Sequence, residues 1–383
     1  MGGKKRDRWD SSSDEEEDTK KEARVIPQSV RSSTDGNVVS TWPIHNPLLQ
    51  GCRSVYDTYE QIERLSEGSY GIVWKARDLA TNETVALKQI KFHVDDEPRM
   101  TEEANPAKNG FPVTALREIS VLLALSHENI VHVREMVTGC SIDKVFMVMQ
   151  LFDYDLSEAM SKRLLDGAPL PQSELKGILQ QVLQGTHHMH TNWYLHRDLK
   201  PSNVLVEQRT GRVALADLGL ARRYQTPARA MTQLVVTLWY RSPELLFGES
   251  CYGPPVDMWS IGCVFGELIL GGKEAVMPGQ GELDQIDKIF SLLGGPNETT
   301  WPSFDKLPNA GLFRWKSSDV PQLSQKFPVA QPLAGGRSFL DADGFALLEG
   351  LLALDPSQRL TATNALQHPY FQKGVKPRRP QFV

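Results

Sequence analysis

The segment HRDLKPSN (His196–Asn203) sets a carboxylate at Asp198, an ammonium two residues on at Lys200 and an amide five residues on at Asn203. Asp217 follows fourteen residues after Asn203, the distance a short hairpin needs to bring a second oxygen ligand beside the first. Two such oxygens suit a hard cation such as Mg2+. Far upstream, the run VALK ends in Lys88 behind a glycine-bearing stretch, SEGSYGIV (Ser66–Val73). Phosphoryl transfer asks for this set of parts: phosphates held in line, metal charge near the β- and γ-oxygens, and a carboxylate that aligns the acceptor hydroxyl. Alone, Asp198 reads as a loop carboxylate and Lys88 as a surface lysine. In register with Lys200, Asn203 and Asp217, they read as a phosphoryl-transfer site.

These residues need elements to hold them. Residues 1–50 are polar, begin with KKRDR (Lys4–Arg8), run on through SSSDEEED (Ser11–Asp18) and read as a disordered tail. From Tyr56 the pattern turns to short β-type runs, with a turn at Thr81–Glu83 between two of them. VTALREISVLLAL (Val113–Leu125) puts Val113, Leu116, Ile119 and Leu123 at helical spacing, so it reads as one amphipathic helix whose Glu118 can hold Lys88. The stretch before it, His93–Gly110, lacks periodicity, carries two prolines and reads as an exposed loop. VFMVMQLF (Val145–Phe152) reads as a buried strand, and helix-length patterns dominate beyond it. The expected fold class is α+β: a β-rich lobe over 56–150, a mainly helical lobe over 153–371 and a basic tail, 372–383, containing a solvated KPRRP (Lys376–Pro380).

Composition excludes several other classes. With 383 residues, 40% hydrophobic and 23% charged, the chain has the make-up of a globular protein large enough for two lobes. A formal net charge of −5 argues against a sequence-independent nucleic-acid binder, so no direct nucleic-acid partner is expected. Cys52, Cys140, Cys251 and Cys263 are scattered without CxxC spacing, which predicts reduced thiols rather than zinc ligands or disulfides. No run of about 18 apolar residues occurs, so no membrane partner is expected and an intracellular location is.

HRDLKPSN, DLG at Asp217–Gly219, SPE at Ser242–Glu244 and VDMWSIG at Val256–Gly262 stand in an order and spacing that resembles the eukaryotic protein kinases, over roughly residues 56–371. GFPVTALRE (Gly110–Glu118) and VVTLWYRSPE (Val235–Glu244) are similar to segments of the cyclin-dependent kinases, and closest to their PITSLRE branch. That resemblance implies a two-lobe kinase fold with ATP and Mg2+ as cofactors, a cyclin-like regulatory subunit and protein substrates with Ser/Thr-Pro sites. It implies Asp198, Lys200, Lys88 and Glu118 as catalytic residues, and Asn203 and Asp217 as metal ligands. For the nucleotide it implies the loop Leu65, Ser66, Glu67, Gly68, Ser69, Tyr70, Gly71, Ile72 and Val73. It adds Ala86 and Leu205 at the adenine, Met149 as gatekeeper, Gln150, Leu151 and Phe152 at the hinge, and Asp155 at the ribose.

For regulation, the resemblance makes Thr232 the activating phosphothreonine, clamped by Arg117, Arg197 and Arg222, and Ser69 and Tyr70 inhibitory phosphosites. For specificity, it makes Val235, Val236 and Arg241 the pocket for the proline after the acceptor. It pairs Glu244 with Arg359 of LDPSQRL and implies nuclear work in transcription, splicing or cell-cycle control. Two departures stand out. Ser66 replaces the first glycine of the loop, and Leu218 replaces the usual Phe of DFG, a change expected to alter inactive-state preference without touching Asp217. Two other readings exist: a pseudokinase scaffold, and a mitogen-activated-type kinase, whose Thr-x-Tyr stands here as Thr232-Gln233-Leu234.

Overall fold

The computed structural model describes residues 52–68, 71–90, 113–139, 144–165, 170–225, 229–232, 235–312, 321–329 and 340–381. The expected tail over 1–50, the loop His93–Gly110, and Ser69 and Tyr70 lie outside the described residues. The described residues divide into two compact units, one within Met1–Asp96 and Glu135–Val148, the other within Glu97–Arg134 and Met149–Val383.

The first unit is built on strands rich in β-branched and aromatic residues. After the short β1 (Arg53–Ser54) and α1 (Val55–Thr58) come β2 (Tyr59–Gly68), β3 (Gly71–Asp78) and β4 (Thr84–Ile90). With β5 (Val133–Thr138) and β6 (Val145–Gln150) they form one sheet in the order β1-β5-β6-β4-β3-β2. The turn between β3 and β4 falls where the sequence signals it, with Asn82 at φ 59° and Asp78 Oδ1 accepting from Ala80 N at 2.9 Å. Val55, Ile72, Trp74, Val85, Leu87, Phe146 and Val148 form the core. Register sets Val73 opposite Lys88 and Lys75 opposite Ala86, so three residues predicted to meet the nucleotide are neighbours on two strands.

The second unit includes α2 (Val113–Ala124), which falls within the 56–150 span expected for the β-rich lobe. It groups here because it packs on the 3-10 turn Leu218–Leu220. The burial of α2 also differs from the predicted stripe: Ala115, Glu118, Val121 and Leu122 are buried, Leu116 and Ile119 are half-buried, and Leu123 is 72% exposed. Next come β7 (Tyr154–Asp155), α3 (Leu156–Leu165), α4 (Gln172–Thr191) and β8 (Tyr194–Leu195). The hairpin of β9 (Val204–Glu207) and β10 (Arg212–Leu215) follows, then β11 (Arg222–Arg223), which pairs with β8. Beyond it lie α5 (Pro243–Leu246), α6 (Pro255–Ile269), α7 (Glu282–Leu293), α8 (Leu323–Lys326), α9 (Ala342–Leu351), α10 (Ala362–Leu366) and α11 (Pro369–Gln372). Every residue of α6 from Val256 to Leu268 is buried, a mostly apolar helix that also carries Asp257, Ser260 and Glu267 into the interior. α4 and α9 pack around it.

Candidate active site

The β9–β10 hairpin does what the fourteen-residue spacing predicts. Val204 pairs with Leu215, and Ala216 N donates to Asn203 O at 2.9 Å, so Asn203 and Asp217 emerge side by side from its open end. On the other side β7 pairs with β9, setting Asp155 opposite Leu205. Val131, Phe152 and Ala214 form a small core beneath, with Met149, Leu205 and Ala216 packed on it.

Asp198 is buried and held from three sides. Its Oδ1 accepts from Thr237 N at 3.1 Å and Thr237 Oγ1 at 3.0 Å, while its Oδ2 accepts from Asn203 Nδ2 at 3.0 Å and pairs with Lys200 Nζ at 2.9 Å. Lys200 Nζ also donates to Thr237 Oγ1 at 3.0 Å. Because Asn203 spends Nδ2 on Asp198, its amide oxygen is the atom left for a cation. Asp217 takes the left-handed conformation, φ 56° and ψ 68°, at the head of the Leu218–Leu220 turn. Asn203 and Asp217 supply hard oxygens, and among the described residues no group of three or more His, Cys, Asp or Glu side chains could hold a metal alone. That donor set fits Mg2+, which keeps few protein ligands and completes its shell with phosphate oxygens and water.

A second layer fixes the loop bearing Asp198. Asp257 of α6, fully buried, accepts from His196 N at 2.9 Å, Arg197 N at 2.8 Å and His190 Nε2 at 2.8 Å. Burial pushes its carboxyl up, but these hydrogen bonds and the neighbouring His190 and His196 outweigh it and hold Asp257 below the usual carboxylate range. His196 Nδ1 accepts from Asp198 N at 3.3 Å, so Nε2 carries the proton that it shares with Ala216 O at 3.0 Å. Thr237 and Asp257 lie inside segments quoted for their resemblance, but nothing in their spacing from Asp198 announced these contacts.

Of the predicted clamp, Arg197 Nε donates to Leu220 O at 2.8 Å and Arg117 Nη1 reaches Gly219 O at 3.4 Å, so both converge on the turn after Asp217. Burial, and then the charges of Arg197 and Arg222, pull the Arg117 guanidinium below its ordinary value. Arg197 Nη1 also donates to Tyr252 Oη at 2.9 Å, and Tyr252 Oη donates to the carbonyl of Thr232 at 2.6 Å. Thr232 itself is exposed.

At the predicted proline pocket, Val236 has φ 67°, a strained conformation for a β-branched residue. Its carbonyl accepts from Arg241 Nη2 at 3.2 Å and that of Val235 from Arg241 Nε at 3.0 Å, while Arg241 Nη1 pairs with Glu282 at 2.7 Å. The expected ion pair of Glu244 is present as a buried fork: Arg359 Nη1 and Nη2 reach its two oxygens at 2.7 and 2.9 Å. In the first unit Lys88 is half-buried on β4, Ala86 is 7% exposed and Leu65 is 45% exposed.

Residues 59–371 match the family described as protein kinase domain. Cyclin-dependent kinase G-2 of rice is 44% identical over 88% of this chain and 44% of its own length. Cyclin-dependent kinase 11 of Dictyostelium discoideum is 42% identical over 86% of this chain and 84% of its own. Human cyclin-dependent kinase 11B is 38% identical over 97% of this chain and 44% of its own, so the chain spans less than half the length of the rice and human relatives. Residues 59–371, the hairpin that joins Asn203 to Asp217 and these relatives agree, and the chain belongs to the protein kinase family, among its cyclin-dependent serine/threonine kinases.

Proposed function

We propose that the chain transfers the γ-phosphoryl of ATP to Ser/Thr-Pro sites of protein substrates and does so with a cyclin bound. The observation that carries this reading is the carboxylate of Asp198, fixed by Thr237 and Asn203 with Lys200 against it. In the proposed reaction the acceptor hydroxyl oxygen bonds to the γ-phosphorus as the bond from that phosphorus to the β–γ bridging oxygen breaks, and Asp198 receives the hydroxyl proton. Lys200 faces the charge on the transferring group. Asn203 and Asp217 would hold Mg2+, which supplies positive charge beside the β- and γ-oxygens. Lys88, held by Glu118, would set the α- and β-phosphates, and residues 65–73, Ala86, Gln150–Phe152, Asp155 and Leu205 would enclose the nucleoside.

Selection of proline follows from the arginine fork. The carbonyls of Val235 and Val236 are already bonded to Arg241, so an amide N–H following the acceptor residue finds no partner there. Proline has none to leave unpaired. Arg117, Arg197 and Arg222 would order the segment once Thr232 carries phosphate, and Ser69 and Tyr70 are proposed as phosphosites over the nucleotide. The pseudokinase reading is set aside by the intact polar set, and the mitogen-activated one by relatives named as cyclin-dependent kinases. Nuclear action rests on the resemblance to the PITSLRE branch alone, and imaging of the tagged full chain tests it. The chain purified with its bound partner should move labelled γ-phosphate from Mg-ATP onto Ser-Pro peptides in preference to Ser-Ala peptides. Absence of transfer, with nucleotide bound, would sink the reading.

A further inference from the structure

The segment after α11 reads in the sequence as a solvated basic end, but the structure seats it on α4. Arg378 N donates to Ser173 O at 2.8 Å, Pro380 is buried, and Arg379 pairs with Glu128. Lys176 is wholly buried beneath it, donating to Lys373 O at 3.2 Å with its ammonium 4.4 Å from the Tyr370 ring centre. Two glycines make room: a Cβ on Gly177 would lie 1.8 Å from Arg378 O, and one on Gly211 would lie 2.3 Å from Pro380 O. Gln181, buried between them, donates to the carbonyls of both Gly177 and Gly211 at 3.1 Å and accepts from Val213 N at 2.9 Å. The terminal segment, α4 and the β9–β10 turn are therefore one hydrogen-bonded block.

Arg212, the residue after Gly211, projects from that block to Gln150 and Phe152. Its Nη2 donates to Gln150 Oε1, and its guanidinium lies 5.0 Å from the Phe152 ring centre. Resting on the reading that Gln150–Phe152 form the hinge of the nucleotide site, we propose that Arg212 is a positioning residue for nucleotide binding and that residues 374–381 are the strap that anchors it. The strap fixes the turn at Gly211, the turn aims the guanidinium, and the guanidinium fixes two side chains of the hinge segment. A planar, stacked, hydrogen-bonding cation suits that task better than an ammonium would.

The test uses the full chain, with Mg-ATP affinity from fluorescent-nucleotide displacement and hydrogen exchange followed in 150–153, 196–203 and 374–381. Arg212→Ala should weaken Mg-ATP by about three- to tenfold, the scale of one typical hydrogen bond lost. It should raise exchange in 150–153 and leave 196–203 unchanged, and Arg212→Lys should recover part of the loss. Gly177→Ala is the sharper probe, because alanine favours a helix over glycine and any loss must come through the displaced strap. It should loosen 374–381 and 150–153 together and weaken Mg-ATP, and in combination with Arg212→Ala it should add little, since both act along one path. A Gly177→Ala chain with 374–381 unmoved, or with 374–381 loosened and affinity intact, overturns the strap, and additive losses in the double variant overturn the shared path. Wild-type chain that binds no Mg-ATP would instead sink the nucleotide reading itself, and with it the role given to Gln150–Phe152.

Discussion

Asp198 and Lys200 are opposite charges 2.9 Å apart, and the hydroxyl of Thr237 bonds to both. A general base is useful only if its lone pair points at the proton it takes, so the threonine is as much a part of the site as the charges. Asp198→Asn should lower turnover of Ser-Pro peptides by about a hundredfold or more while leaving Mg-ATP affinity unchanged. Turnover above about a tenth of wild type would remove the role assigned to it. Thr237→Val keeps the backbone N–H to Asp198 Oδ1 and the shape but loses the hydroxyl, and should cut kcat about tenfold with KM for ATP unmoved, whereas Thr237→Ser should restore most of it. Equal kcat in the Val and Ser variants would show the hydroxyl to be idle. The contrast shows what the sequence could carry at this scale. Asp198, Lys200 and Asn203 sit within six residues and Asp217 one hairpin away, so local spacing exposes them. Thr237, Asp257 and Arg212 reach their partners 39, 60 and 62 residues away, through packing that spacing alone does not encode.

Among the elements, α6 carries a buried carboxyl. Burial pushes the carboxyl of Glu267 up to about 7, with a hydrogen bond from Tyr240 working against it. Tyr240 follows the Val235–Val236 segment by a single 3-10 turn, Leu238–Tyr240. A carboxyl whose folded value is raised favours the folded state when protonated. Its stabilising contribution is full below the unfolded value of about 4.3, falls as pH rises toward 7 and is gone above it. Glu267→Gln should therefore remain equally stable across that window where wild type loses stability with rising pH, an effect read as the difference between their urea midpoints at pH 5 and pH 7.5. Parallel midpoints in the two proteins would contradict the assignment. The stretch carrying Thr232, proposed as the activating phosphothreonine, is the second element. Arg117, Arg197 and Arg222 place positive charge around the turn after Asp217, and Tyr252 already ties Arg197 to the backbone of Thr232. Thr232→Ala should lower activity and speed proteolysis between Leu218 and Arg241 in the partner-bound enzyme. Identical activity and cleavage in the two chains would leave the clamp without a purpose.

At the scale of the whole molecule, α2 shows why periodicity and burial can part company. Val113, Leu116, Ile119 and Leu123 have the spacing of a core-facing stripe, yet the helix turns Ala115, Glu118, Val121 and Leu122 inward and leaves Leu123 72% exposed. Leu123 is the apolar side chain of that row left exposed among the described residues, open to contact from another chain, and a sequence pattern cannot say which chain will cover it. A cyclin fits this demand, because the helix that carries the row also carries Glu118, the proposed partner of Lys88. A partner that binds only the arrangement in which Glu118 holds Lys88 shifts the population by its differential affinity, and about 5.5 kcal/mol moves two states from 1:99 to 99:1. Leu123→Asp places a charge at the proposed partner surface without disturbing the buried face of α2. It should abolish partner binding and peptide-kinase activity together, while thermal stability and Mg-ATP affinity of the partner-free chain stay near wild type. Full activity in the purified chain without a cyclin and without phosphate on Thr232 would mean that α2 needs no outside hand, and the dependence proposed for it would fall.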